Sequence, residues 1–148
     1  RTIPPRKRMT ARILDGTGGF LVITGIDHFA VVTTDVARAA RFYTELLGFR
    51  ETMRLETSHS GTIIFVALGD AQLELFGGGT PRAGQPEGRP VGFTHIALKV
   101  DDIDADHERL AAAGIAFDMR PTTVESCLRI AFFRDPDGNT IELMQRPR

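Results

Sequence analysis

Short runs of alternating apolar and polar residues begin at His28, and two stretches with helical spacing interrupt them. His28-Phe29-Ala30-Val31-Val32 and His95-Ile96-Ala97-Leu98-Lys99-Val100 each read as a strand. Each is followed by an acidic residue suited to cap a helix, Asp35 or Asp102, whose carboxylate accepts hydrogen bonds from the first free backbone amides. Val36, Ala39, Ala40, Tyr43, Leu46 and Leu47 then make one apolar helical face that Gly48 ends. Ile103, His107, Leu110 and Ala111 do the same before Gly114. Three strand-like runs follow each helix, over 49–57, 61–69 and 71–76 and again over 115–120, 128–134 and 140–145. The order is βαβββ, twice.

His28 falls on His95 and Asp35 on Asp102 at one common offset, so the chain reads as two copies of one unit. The predicted class is α+β, two tandem βαβββ modules. The first module spans residues 25–76 and the second 93–146. Residues 77–92, rich in Gly and Pro without apolar periodicity, read as a linker. Residues 1–24 read as a basic, poorly ordered tail, with Met9 or Val22 as alternative natural starts. Asp135-Pro136-Asp137-Gly138-Asn139 is the turn between the last two strands, and Gly69-Asp70 does that work in the first copy.

Composition narrows the chemistry. The 148 residues, 42% hydrophobic, suit one compact domain or two small packed modules. The net charge of −1 hides an asymmetry, because Arg1, Arg6, Lys7 and Arg8 crowd the tail and leave an acidic body. Nucleic acid is therefore not an expected partner, since phosphate contacts need a surplus of Lys and Arg on one face. Cys127 is the single cysteine and reads as a buried structural residue; it excludes an intrachain disulfide and a thiolate-rich metal site. No run approaches the roughly 18 apolar residues of a spanning helix, and no signal peptide is recognised. A cytoplasmic protein without membrane contact is the expectation.

Each unit ends with a carboxylate inside an apolar strand, Leu73-Glu74-Leu75 and Ile141-Glu142-Leu143. Period-two alternation sets both glutamates opposite their leucine and isoleucine neighbours, away from the helix-covered core. His28 and His95 stand at equivalent places on the first strands, with small Ala30 and Ala97 beside them. Two imidazoles and two carboxylates suit one divalent ion, Zn, Ni, Fe, Mn or Co, with positions left for substrate. A homodimer is the expected working form, and the two modules can meet within a chain or across that dimer, since the repeat satisfies both. Phe65 and Phe132, in equivalent third strands, are candidates to line the cavity, and Arg54 and Arg129 to pair a substrate carboxylate. His59 reads as a turn residue and His107 as a packed helix residue.

Ile26-Asp27-His28, Phe42-Tyr43-Thr44-Glu45-Leu46-Leu47-Gly48-Phe49, Thr94-His95-Ile96-Ala97 and the run from Phe133 to Leu143 together resemble the vicinal oxygen chelate superfamily over residues 26–145. That group includes glyoxalase I, methylmalonyl-CoA epimerase, extradiol dioxygenases, and fosfomycin- and bleomycin-resistance proteins. Resemblance to glyoxalase I implies His28, Glu74, His95 and Glu142 as metal ligands, with Glu142 the leading catalytic base and Glu74 the second choice. It implies proton abstraction beside a metal-chelated carbonyl or hydroxyl of a small molecule. Glyoxalase I also implies an Arg soon after the first His and an Asn soon after the first Glu to hold glutathione. His28-Phe29-Ala30-Val31-Val32 and Glu74-Leu75-Phe76-Gly77-Gly78 contain neither. The epimerases place Gln where Glu74 stands. The alternatives are a non-heme Fe(II) extradiol-type dioxygenase using His28, His95 and Glu142, and a small-molecule binding or resistance protein without turnover.

Overall fold

The computed structural model describes residues 25–59, 61–80, 92–124 and 128–147, together with the backbone of a two-residue ladder pairing β1 (Ile13–Leu14) with β2 (Phe20–Leu21). The rest of the basic tail, most of the linker and Cys127 lie outside the described residues.

The first unit contains β3 (Phe29–Val32), α1 (Val36–Arg41), β4 (Arg50–Thr57), β5 (Gly61–Leu68) and β6 (Ala71–Phe76). The second contains β7 (His95–Lys99), α2 (Ile103–Ala112), β8 (Phe117–Val124), β9 (Leu128–Arg134) and β10 (Thr140–Gln145). Each builds its own four-stranded mixed sheet, ordered β3-β6-β5-β4 and β7-β10-β9-β8. The first strand of each runs parallel to the last, and the other pairs are antiparallel. Asp35 and Asp102 cap their helices as the sequence predicts, through Arg38 N at 2.9 Å and through Asp104 N and Ala105 N, each at 3.1 Å.

The first helix differs from expectation. It is α-helical only to Arg41 and continues as a π-turn over Phe42–Leu46. The wider turn brings the consecutive rings of Phe42 and Tyr43 both into the interior, 7% and 1% exposed. Gly48, at φ +74°, then reverses the chain in a left-handed conformation that a side chain would strain.

One apolar core serves both units. Ala39, Tyr43, Ile64, Val66, Leu73 and Leu75 join Ile103, Leu110, Ala131, Phe133, Ile141 and Leu143 in a single buried cluster. Phe42 and Phe133 meet across the units with ring centroids 6.5 Å apart. Polar contacts lock the same junction. The Tyr43 hydroxyl donates to Asp135 Oδ2 at 3.0 Å, and burial, reinforced by that carboxylate, pushes the phenol far above its ordinary range. Asp137 accepts from the hydroxyls of Thr33 and Thr34, each at 2.5 Å, from Thr34 N at 3.0 Å and from Arg38 Nη2 at 3.2 Å. Arg109 Nη1 donates to Leu46 O at 2.8 Å. Gly138, at φ +84°, shapes the turn that presents both aspartates.

Burial raises the pKa of Asp137, but the hydrogen bonds from Thr33 and Thr34 and the charge of Arg38 outweigh it and hold the carboxyl below its usual range. Asp137→Ala is expected to cost about 2 kcal/mol at neutral pH, the scale of hydrogen bonds to a buried charged group. A folded pKa below the unfolded one stabilises the protein above the ordinary carboxyl range and ceases to do so as pH falls through the folded value. Urea melts from pH 7 to pH 3 should therefore show wild type and variant converging in acid.

Candidate metal centre

The core-facing side of the first sheet is fixed by Ile64, Val66, Leu73 and Leu75, all buried. Alternation turns Phe65, Gln72 and Glu74 to the opposite, open face. His28 immediately precedes β3 on that face, and its Nε2 lies 3.3 Å from Glu74 Oε2. The second sheet repeats the arrangement. Ala131, Phe133, Ile141 and Leu143 face the core, and on the open side His95 Nε2 lies 2.9 Å from Glu142 Oε2. Glu142 is the more enclosed carboxylate, its side chain 6% exposed against 21% for Glu74.

The two histidines are seated alike. Phe65 meets the His28 ring edge-on with centroids 5.5 Å apart, and Phe132 meets His95 at 5.8 Å. Both phenylalanines are Cα partners of the glutamates, Phe65 with Glu74 and Phe132 with Glu142. Each therefore fixes the imidazole over the carboxylate. Phe65 is buried yet absent from the shared core, because its ring lies under His28.

The second ring nitrogen of each histidine has a partner that sequence reading did not assign. Asp27 Oδ1 is 2.7 Å from His28 Nδ1, and the Thr94 hydroxyl is 2.9 Å from His95 Nδ1. The hydrogen bond that His28 donates to Asp27, with smaller contributions from the charges of Glu74 and Asp27, outweighs desolvation and raises the His28 pKa. Such partners select the tautomer that leaves Nε2 free for a metal. The signal lay in the residue before each histidine, polar and hydrogen-bonding in both copies.

The four side chains are not gathered within one chain. Among the described residues no three His, Cys, Asp or Glu side chains come close enough to hold one ion. The sheets bury their helix sides in the common core and turn their open faces away from it, and neither His–Glu pair gains a third donor among the described residues. A cavity of about 500 Å³ opens between the units, lined by Leu47, Leu68, Leu98, Asp106 and Leu110, and neither pair lines it.

Both arginines expected to meet substrate take other positions. Arg129 lies on the helix-covered side of β9 and forms a two-pronged pair with Asp104 of α2. Arg54 is opposite Ile64, on the core side of its sheet beyond the helix, and is held by Glu51 at 2.9 and 3.0 Å. A bulge between Glu51 and Met53 turns it there. His107 packs against Phe117 with ring centroids 4.6 Å apart, and His59 sits in the β4–β5 turn, as expected.

Residues 25–143 match the family described as the Glyoxalase/Bleomycin resistance protein/Dioxygenase superfamily. A probable lactoylglutathione lyase of Vibrio cholerae is 34% identical over 125 residues, which cover 80% of this chain and 88% of that one. An ethylmalonyl-CoA/methylmalonyl-CoA epimerase of Cereibacter sphaeroides is 36% identical over 98 residues, covering 63% and 73%. Among solved structures, TnmS3, an antibiotic binding protein from Streptomyces, superposes with a TM-score of 0.66 at 33% identity, covering 84% of this chain and 98% of that one. No helix among the described residues is long and apolar enough to cross a membrane.

Since Arg54 and Arg129 are exposed ion pairs facing away from both His–Glu pairs, Arg54→Leu and Arg129→Leu should each lower Tm by only a few degrees. Calorimetric affinity for a small carboxylate-bearing ligand, measured on the same variants, should match wild type; a loss in either would return that arginine to the site.

Proposed function

The chain belongs to the Glyoxalase/Bleomycin resistance protein/Dioxygenase superfamily, and on that footing we propose that it is a metal-dependent isomerase or lyase of the glyoxalase I kind. It would move a proton beside a chelated carbonyl or hydroxyl of a small molecule. The observation that carries this reading is the duplicated His–Glu pair, each with Nε2 and a carboxylate oxygen side by side over a phenylalanine edge.

The donor set fits a divalent ion. Ligands about 2.1 Å from one ion lie roughly 3.0–3.4 Å apart in octahedral or tetrahedral geometry, and the two pairs are separated by 3.3 and 2.9 Å. His28, Glu74, His95 and Glu142 would hold it, nitrogen and oxygen donors suited to Zn, Ni, Fe, Mn or Co. The ion would supply Lewis acidity, lowering the cost of negative charge on substrate oxygens and so acidifying the neighbouring C–H. Glu142 is the proposed base, because its carboxylate is the less accessible to water that would compete for the proton. Glu74 is the second candidate. Asp27 and Thr94 orient the imidazoles through Nδ1.

Each chain offers two half-sites, so a complete centre needs the first unit of one copy beside the second unit of another. The edges support this pairing. Among the described residues β3 bonds only to β6 and β7 only to β10, which leaves one edge unpaired beside each histidine. Ile26, Phe29, Val32 and Phe93 expose apolar surface along those edges, Phe93 completely. A second reading, binding without turnover, draws on the likeness to the antibiotic binding protein TnmS3. Product formation on a panel of α-hydroxy and α-keto substrates separates the two, since a sequestering protein binds without converting.

Elemental analysis after reconstitution should find one divalent ion per chain in wild type and far less in Glu74→Ala or His95→Ala. Mixing unfolded His28→Ala and His95→Ala chains and refolding them together should recover about a quarter of wild-type tight metal sites, because half the dimers are mixed and each mixed dimer holds one intact centre. No recovery would overturn the cross-chain arrangement, and wild type without stoichiometric metal would overturn the centre.

A further inference from the structure

The open face of the first sheet continues well beyond His28 and Glu74. Two rows cross it. One runs from Ala30 through Glu74 and Phe65 to Met53, and the other from His28, just ahead of β3, through Gln72 and Ala67 to Arg50. Met53, at the outer end of the first row, is a large apolar side chain 44% exposed. Arg50 begins β4 opposite Ala67, on the same face, and among the described residues no carboxylate pairs with it.

The contrast with the other arginines near these faces gives Arg50 its meaning. Arg54 is tied to Glu51 on the opposite side. Arg134, in the His95 row of the second sheet, is neutralised by Asp118 at 2.5 Å and donates to Gly138 O. Arg50 alone of these three has its guanidinium uncommitted. Gln72, between His28 and Arg50, is held by the Thr52 hydroxyl at 3.2 Å, and Ala67 beyond it contributes only a methyl. The row is therefore low and leads from the histidine to the cation beside an apolar wall. Three strand spacings put Arg50 about 14 Å across the face from His28.

Building on the metal-centre reading above, we propose that Arg50 anchors a terminal carboxylate of the substrate, whose apolar body lies against Phe65 and Met53 and whose two-oxygen head sits at the His–Glu centre. The substrate class is thus an amphipathic acid with vicinal oxygens at one end and a carboxylate at the other. An arginine fits that role because its planar fork accepts a carboxylate through two parallel hydrogen bonds.

Three hydroxamates test this on manganese-loaded protein by calorimetry. Acetohydroxamate carries the chelating head alone, octanohydroxamate adds the apolar body, and suberic acid monohydroxamate adds the distal carboxylate. In wild type, octanohydroxamate should bind more tightly than acetohydroxamate, and suberic acid monohydroxamate about tenfold more tightly again, the scale of one added charge-assisted contact. Arg50→Leu should erase the preference for the carboxylate while leaving acetohydroxamate affinity unchanged, and Met53→Thr should weaken both long probes. An equal preference in Arg50→Leu, or none in wild type, overturns the anchor. Failure of acetohydroxamate itself to bind wild type overturns the metal centre, and the anchor with it.

Discussion

Asp135 and Asp137 hold the two units back to back. Their turn leaves β9, crosses to the first unit and meets the Tyr43 hydroxyl, the Thr33 and Thr34 hydroxyls and the Arg38 guanidinium. Asp135 also accepts from the backbone of Asp137 and Asn139 within its own turn, so both carboxylates are satisfied although one is 5% exposed. A buried carboxylate without partners would destabilise the junction; with these it specifies one packing. The π-turn after Arg41 belongs to the same device, because it delivers Tyr43 to Asp135 while Phe42 reaches Phe133.

That packing decides where the candidate metal-ligating side chains go. With both helix sides committed to one core, the remaining face of each sheet must point outward, and each outward face carries one histidine and one glutamate. The halves are matched in how the ring is seated, by Phe65 and by Phe132, but differ in what touches Nδ1. A carboxylate on His28 strengthens its donor character more than a hydroxyl does on His95. The wall residues differ as well, with a free guanidinium on the first sheet and a neutralised one on the second. Duplication set the geometry, and the side chains around it no longer duplicate each other.

Much of this was legible in the chain. Strand parity placed Glu74 and Glu142 opposite the core, and the capping aspartates located both helices. Parity also bears on Arg129, which shares its side with Ala131 and Phe133 rather than with Phe132. Arg50 and Arg54 are a different case. In a regular strand Arg50 and Arg54 would share a face, but the extra residue at the Glu51–Met53 bulge sends them to opposite sides. Nothing in Arg50-Glu51-Thr52-Met53-Arg54 announces that bulge, since it arises from pairing with β5. The Asp135 and Asp137 contacts were equally hidden, because they join residues about a hundred positions apart.

In the proposed centre, half-sites on outward faces would tie metal binding to assembly. Two donors hold a divalent ion weakly, whereas four hold it firmly, so the free energy of binding would be realised only when two copies meet and would be shared with their association. Unpaired strand edges and the exposed apolar groups beside them would supply attraction of their own, but they confer little specificity. The proposed ion would add that specificity, since it would be satisfied only when a first unit faces a second unit in the correct register. Preformed pairs lower the cost of closure. Each imidazole is already oriented by Asp27 or Thr94 and by a phenylalanine edge, so little side-chain freedom has to be given up when the halves join.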